Sequence, residues 1–98
     1  MKIWLDDLRK PPKGYVMARS VNEAKKIIEA AEYNGENINV IDCDHDLGDF
    51  ASDGGDGIYL LDWLIERDTL YHIELHTANP VGRSNTKRML DRFWKDEN

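Results

Sequence analysis

Three short segments of this sequence concentrate side chains able to do acid, base and metal chemistry. Asp6 and Asp7 stand together near the start; Asp44, His45 and Asp46 form a triplet near the middle; His76 and Thr77, with Asn79 and Arg83 close behind, follow later. Crowded carboxylates repel one another, and some of their pKa values rise unless a cation joins them. A hard divalent ion such as Mg²⁺ resolves that conflict with one or two carboxylates and several waters. Asp6, Asp7, Asp44 and Asp46 are therefore the candidate metal ligands, with Mg²⁺ or Mn²⁺ the expected ion. Histidine titrates near neutrality and can act as acid or base. His45 and His76 accordingly join Asp44 as candidate catalytic residues. Thr77 offers a hydroxyl, Asn79 an amide and Arg83 a fork that suits phosphate oxygens. Pro80 marks a helix start behind them, whose N-terminal dipole favours an anion. Taken alone, the Asn79-Pro80 pair reads as an ordinary helix cap.

Other residues of these types read as structural. Asp49, Asp53 and Asp56 sit in a glycine-rich stretch, where aspartates cap and turn the chain. His72 begins a strand and belongs to its opposite edge. Arg9, Lys10 and Lys13 make a small basic cluster that could steer an anion, although loop lysines are usually just solvated. Trp4, Trp63 and Trp94 are expected to pack in or against the core. Cys43, flanked by acidic residues in an apolar strand, has no setting for a reactive thiolate.

Positioning these groups falls to strands alternating with helices. Lys2 to Leu5 is a short apolar run stopped by the aspartate pair, and reads as the first strand. Two prolines and a glycine make residues 8–14 a loop, and Tyr15 to Ala18 a short second strand. Ser20 followed by Glu23 is a capping box for a helix whose apolar stripe is Val21, Ala24, Ile27, Ile28 and Ala31. Asn34-Gly35 ends it. Ile38 to Cys43 reads as a third strand, and Asp44 to Gly57, with five aspartates and four glycines, as loop. Ile58, Leu61, Leu64 and Ile65 stripe a second helix, His72 to His76 is a fourth strand, and a last helix carries Met89, Leu90, Phe93 and Trp94. Such alternation implies right-handed crossovers and a parallel sheet. The expected fold is an α/β three-layer sandwich on a short, mainly parallel four-stranded sheet of order 2-1-3-4, flavodoxin- or receiver-like. Ligands in such sheets bind beyond the carboxyl ends of the strands. The loops after strands one, three and four hold the three chemical segments.

Composition sets the frame. Ninety-eight residues suit a single domain over 1–98 with a core that needs no staples. Thirteen basic residues against nineteen acidic ones give a net charge of −6, which disfavours binding to duplex DNA through its backbone. A small phosphorylated ligand held at one focused site stays open. The single cysteine excludes an internal disulfide, no apolar run approaches a membrane span, and no export signal is evident, so the cytoplasm is the expected location.

Asp6-Asp7, Asp44 and Thr77-Ala78 resemble the acidic pocket of response-regulator receiver domains, where the first pair binds Mg²⁺, the strand-three aspartate accepts a phosphoryl group and the hydroxyl orients it. More closely, Ile3-Trp4-Leu5-Asp6-Asp7-Leu8-Arg9, Asp44-His45-Asp46-Leu47-Gly48 and His76-Thr77-Ala78-Asn79-Pro80-Val81-Gly82 resemble the cyclic-phosphate-processing receiver-like family, over nearly the whole chain. That resemblance implies processing of cyclic phosphates, such as those on RNA ends. The sequence departs from ordinary receivers in lacking a fifth strand and the lysine that follows it there, while His45, Asp46, His76, Asn79 and Arg83 are additions that suit hydrolysis. The expected activity is a metal-dependent phosphoesterase acting on a small phosphorylated ligand or an RNA end. The alternative is a non-catalytic receiver-like module that binds metal and phosphate. The Asp42-Cys43-Asp44 spacing also fits a haloacid-dehalogenase-like phosphatase, for which the chain is short and has no convincing late lysine.

Overall fold

The structure, a computed structural model, describes residues 1–94. Residues 95–98 of the expected domain lie outside the described residues. The order of elements is β1 (Lys2–Leu5), β2 (Tyr15–Ala18), α1 (Val21–Tyr33), β3 (Val40–Cys43), a 3-10 turn (Gly48–Ser52), α2 (Ile58–Glu66), β4 (Ile73–Leu75) and α3 (Pro80–Phe93). The strands form one sheet in the order β2-β1-β3-β4, every pair parallel. Two strands are shorter than the sequence suggests. β3 starts at Val40 rather than Ile38, and β4 stops at Leu75, which places His76 just beyond the strand. Part of the expected loop after β3 coils into the 3-10 turn.

Local chemistry accounts for the helix boundaries. Ser20 accepts a hydrogen bond from the Glu23 amide at 3.0 Å, and Glu23 reaches back to the Arg19 amide at 2.6 Å. The second bond falls one residue before the usual capping-box partner. Asn79 caps α3, its Oδ1 accepting from the Val81 and Gly82 amides at 3.1 and 3.0 Å.

Alternation along the strands sorts the sheet into two unlike faces. Ile3, Leu5, Ile41 and Cys43 turn to one face and join buried Val21, Ala24 and Ile28 of α1 and Leu60, Leu61 and Leu64 of α2. Met89 and Leu90 of α3 pack against the same cluster. Each fully buried aliphatic side chain there contributes about 1.5–3 kcal/mol relative to exposure. The registered row Trp4, Asp42 and Glu74 turns to the other face. There the connection between β1 and β2 lies across the sheet: the Trp4 indole donates to the Arg9 carbonyl at 3.2 Å, and the Arg9 guanidinium donates to the His76 carbonyl at 3.1 Å. The third layer is thus supplied by this loop, which carries Pro11 and Pro12 and no helix.

Candidate functional site

Register builds the site. Leu5 aligns with Cys43, and Cys43 with Leu75. The next residue on each strand is Asp6, Asp44 and His76, so the three fall in one row at the carboxyl rim. Backbone bonds continue the ladder into that row, from the Asp44 amide to the Leu5 carbonyl at 2.8 Å and from the His76 amide to the Cys43 carbonyl at 3.1 Å. One ligating atom from each of Asp6, Asp44 and His76 lies within 4.8 Å of the others.

His76 is held from every side. Its Nδ1 lies 2.6 Å from Asp42 Oδ1, its Nε2 lies 2.9 Å from Asp6 Oδ2, and its ring stacks on the Trp4 indole with centroids 3.7 Å apart and planes 3° from parallel. Asp6 is buried. Burial raises its carboxyl pKa, but hydrogen bonds from the Leu8 and Arg9 amides, at 2.8 and 2.9 Å, and from His76 outweigh it and hold the group below the usual carboxylate range. Asp44 is nine-tenths buried, and no hydrogen bond to its carboxylate is found among the described residues. Asp7 stands beside this row rather than in it. Its Oδ2 sits where a β-carbon on Gly48 would come within 2.6 Å. Burial, with repulsion from Asp6 and Asp44, pushes its pKa up.

A second group lies along the rim. His45 Nδ1 is 2.9 Å from Asp46 Oδ1, and Asp46 accepts from the Asn79 amide at 3.0 Å. Hydrogen bonds from His45 and then Asn79 hold the Asp46 carboxyl low. The His45 ring lies against α3, so close to Gly82 that a β-carbon there would meet it at 2.5 Å. His45, Asp46 and Asp56 also bring ligating atoms within 4.8 Å of one another. Asp56 accepts from the Leu47 amide at 3.1 Å. Asp53 accepts from Ser20 and Asn22, a bracing role for the loop.

The phosphate corner has a different economy from the one its composition suggests. Asn79 spends its oxygen on the helix cap and its amide on Asp46. Thr77 is buried and its Oγ1 accepts from the Asn79 amide at 3.1 Å, which leaves the hydroxyl proton to donate. Arg83 is exposed on the first turn of α3. A cavity of about 220 Å³ is lined by Arg19, Ser20, Glu23, Lys26, Phe50 and Asp53. Arg19 of that lining donates from its guanidinium to the Asp7 carbonyl at 3.1 Å. His72 is exposed at the far edge of the sheet and pairs with Glu74 at 3.1 Å. Cys43 is buried, and burial with its acidic neighbours pushes the thiol pKa far up.

Two contributors, Asp42 and Trp4, were not among the expected site residues. The signal for Asp42 is its parity: in β3 it precedes Asp44 by two and so shares its face. Trp4 shares a register row with Asp42, a relation that needs the sheet order to be seen.

The chemistry of the donor set fits a divalent ion. Two carboxylates and an imidazole converge, and Asp44 lacks any other partner among the described residues. No curated protein and no solved structure matches the chain. The family model for the cyclic-phosphate processing receiver domain matches residues 1–92. A four-stranded parallel sheet in receiver order, with acidic groups gathered at its carboxyl rim, agrees with that match, and the chain belongs to the cyclic-phosphate processing receiver domain family.

Proposed function

We propose that the protein is a metal-dependent phosphoesterase that opens or removes a cyclic phosphate, on a nucleotide or an RNA end. The observation that carries this reading is the convergence of Asp6, Asp44 and His76 at the rim of a fold matched to that family. A divalent ion bound there supplies positive charge against the charge that develops on the phosphate. Asp6 and Asp44 would hold it, and Asp44 would activate a water or attack the phosphorus. His45 is the better proton carrier of the two histidines. Its Nδ1 is oriented by Asp46, whereas both nitrogens of His76 face carboxylates. The Thr77 hydroxyl and the exposed Arg83 guanidinium bind phosphate oxygens.

Hydrolysis of a panel of 2′,3′-cyclic nucleotides with Mg²⁺ or Mn²⁺ tests this. Wild type should turn over at least one substrate, and Asp44→Asn should lose activity by about a hundredfold or more. Equal background rates for both proteins on every substrate would remove the enzyme reading. The engagement of Asn79 and of both His76 nitrogens favours one competitor, a module that binds phosphate without turnover. A stable beryllofluoride adduct with no hydrolysis would support that module.

A further inference from the structure

We propose that the cavity between the first turns of α1 and the 3-10 turn is a base-binding subsite. It receives the base of the nucleotide whose cyclic phosphate meets the Asp6, Asp44 and His76 row, with Phe50 stacking on the ring and Arg19, Glu23 and Lys26 meeting its edge. This rests on the phosphoesterase reading above. It deepens that reading by naming what the substrate carries beside its phosphate, an unpaired nucleobase.

Both walls of the cavity reach the rim. Leu5 aligns with Ala18 in the β1–β2 pair, and the Asp6 amide donates to the Ala18 carbonyl at 3.0 Å, so Arg19 leaves β2 beside Asp6. The Arg19 guanidinium then donates to the Asp7 carbonyl at 3.1 Å. The opposite wall meets the same residue. Gly48, which opens the turn that carries Phe50, lies so close to Asp7 Oδ2 that a β-carbon would meet it at 2.6 Å. Asp7 is one residue beyond Asp6, about 3.8 Å along the chain. That is a gap of the order of one ribose, the group that separates a base from its 2′,3′-phosphate. Asp53 braces the two walls against each other. Its Oδ2 accepts from Ser20 at 2.7 Å, its Oδ1 from the Asn22 side chain at 3.1 Å and its carbonyl from the Asn22 amide at 3.1 Å. Gly54, at φ +110°, permits that approach, since a β-carbon there would lie 3.0 Å from the Asn22 amide nitrogen.

The lining selects the occupant. Phe50 is 42% exposed, an aromatic ring held partly in water on a short turn. Arg19 and Lys26 supply donors. Glu23 Oε1 accepts from the Arg19 amide at 2.6 Å, which leaves Oε2 to accept from a ligand. Two cations and two carboxylates, Glu23 and Asp53, make the lining neutral in sum. Such a lining disfavours a second phosphate and suits an uncharged ring with donors and acceptors on its edge. An aromatic face beside mixed hydrogen-bonding groups is how unpaired bases are held. The volume of about 220 Å³ lies below the roughly 300–1,000 Å³ of sites that enclose a whole drug-sized ligand. One ring system enters, and the sugar and phosphate stay outside it, toward the rim.

The test uses the full chain with Mg²⁺ or Mn²⁺. Nucleoside 2′,3′-cyclic phosphates are compared with methyl riboside 2,3-cyclic phosphate, which lacks the base. At least one nucleoside should exceed the methyl riboside in kcat/KM by about tenfold or more, and Phe50→Ala should erase that preference, chiefly through KM. Phe50→Tyr should restore it. Amide NMR spectra, recorded as wild type is titrated with the nucleoside 2′-monophosphate, read occupancy without turnover. Shifts should gather at residues 19–26 and 50–54, and should be absent with methyl riboside 2-phosphate. Hydrolysis with equal kcat/KM for substrates with and without a base overturns the subsite and leaves the phosphoesterase reading standing. So does a preference that survives Phe50→Ala. Shifts gathered at the cavity with no hydrolysis of any substrate sink the phosphoesterase reading and leave the subsite standing. Nucleotides that move none of those amides overturn the subsite, and this readout needs no variant to fold. A short RNA with the same cyclic end separates the two sources of this chemistry. Binding about tenfold tighter than the mononucleotide marks an RNA end and equal binding a free nucleotide, with the cavity amides moving in either case.

Discussion

At the scale of single residues, the site depends on contacts that leave no room for adjustment. Gly57 sits just before α2 with its Cα against the Asp44 carbonyl, where a β-carbon would come within 2.1 Å of the oxygen. The obstacle is backbone, so no side-chain rotation relieves it. Gly57→Ala should cost about 1–3 kcal/mol or more as an overpacked position, read as a lower midpoint in urea unfolding. It should also displace Asp44, so any metal-dependent activity should fall in the surviving folded fraction. An unchanged midpoint would mean that the Asp44 loop yields more easily than its geometry indicates. The residues that could be named from sequence were those at the ends of apolar runs, where a polar group interrupts a strand: Asp6, Asp44 and His76. Asp42 lies inside such a run and looks like a flaw in it. Its purpose emerges only from the His76 nitrogen opposite.

At the scale of elements, the edge of the sheet far from the site is tied together through one carboxylate. Glu32, at the end of α1, accepts from Arg67, just after α2, and from the Tyr71 hydroxyl, ahead of β4. The Tyr71 carbonyl in turn accepts from the Trp94 indole at 2.6 Å, at the end of α3. The Arg67 bond, opposed by burial and joined by Tyr71, holds the Glu32 carboxyl below its usual range, while burial and Glu32 push the Tyr71 hydroxyl up to about 12. A group whose folded-state pKa is depressed stabilises the fold above its unfolded value and loses that contribution as pH falls through the folded value. Glu32→Gln should therefore cost about 1–2 kcal/mol at neutral pH, and its gap to wild type should shrink as pH drops below about 4. Denaturant titrations at pH 7, 4 and 3 check this; a gap constant across them would assign the loss to packing. None of this network was legible in the sequence, because its members are brought together by crossovers of 35 and 39 residues. The helix starts were legible, because Ser20 and Asn79 cap locally. A helical layer on each face was the natural expectation from strands alternating with helices. The connection between β1 and β2 holds no helix, and α1, α2 and α3 all place residues in or against the one buried cluster.

At the scale of the whole molecule, the parallel sheet followed from alternation and handedness, and its order from likeness to a flavodoxin-type sheet. What the order does to the rim is the larger consequence. It takes residues from the beginning, middle and end of the chain and sets them in one row on the three adjacent strands β1, β3 and β4. The fourth strand, β2, pairs only with β1 and places none of its residues in that row. An ion bound at that row, as proposed, would hold to the folded chain and not to the unfolded one, in which these positions are not brought together. At a hundredfold excess over its dissociation constant it should add about 2.7 kcal/mol to the unfolding free energy. Amide hydrogen exchange gives this a spatial signature. Protection should rise together across the three joined strands, while the edge strand β2 keeps fraying at its own pace, metal or no metal.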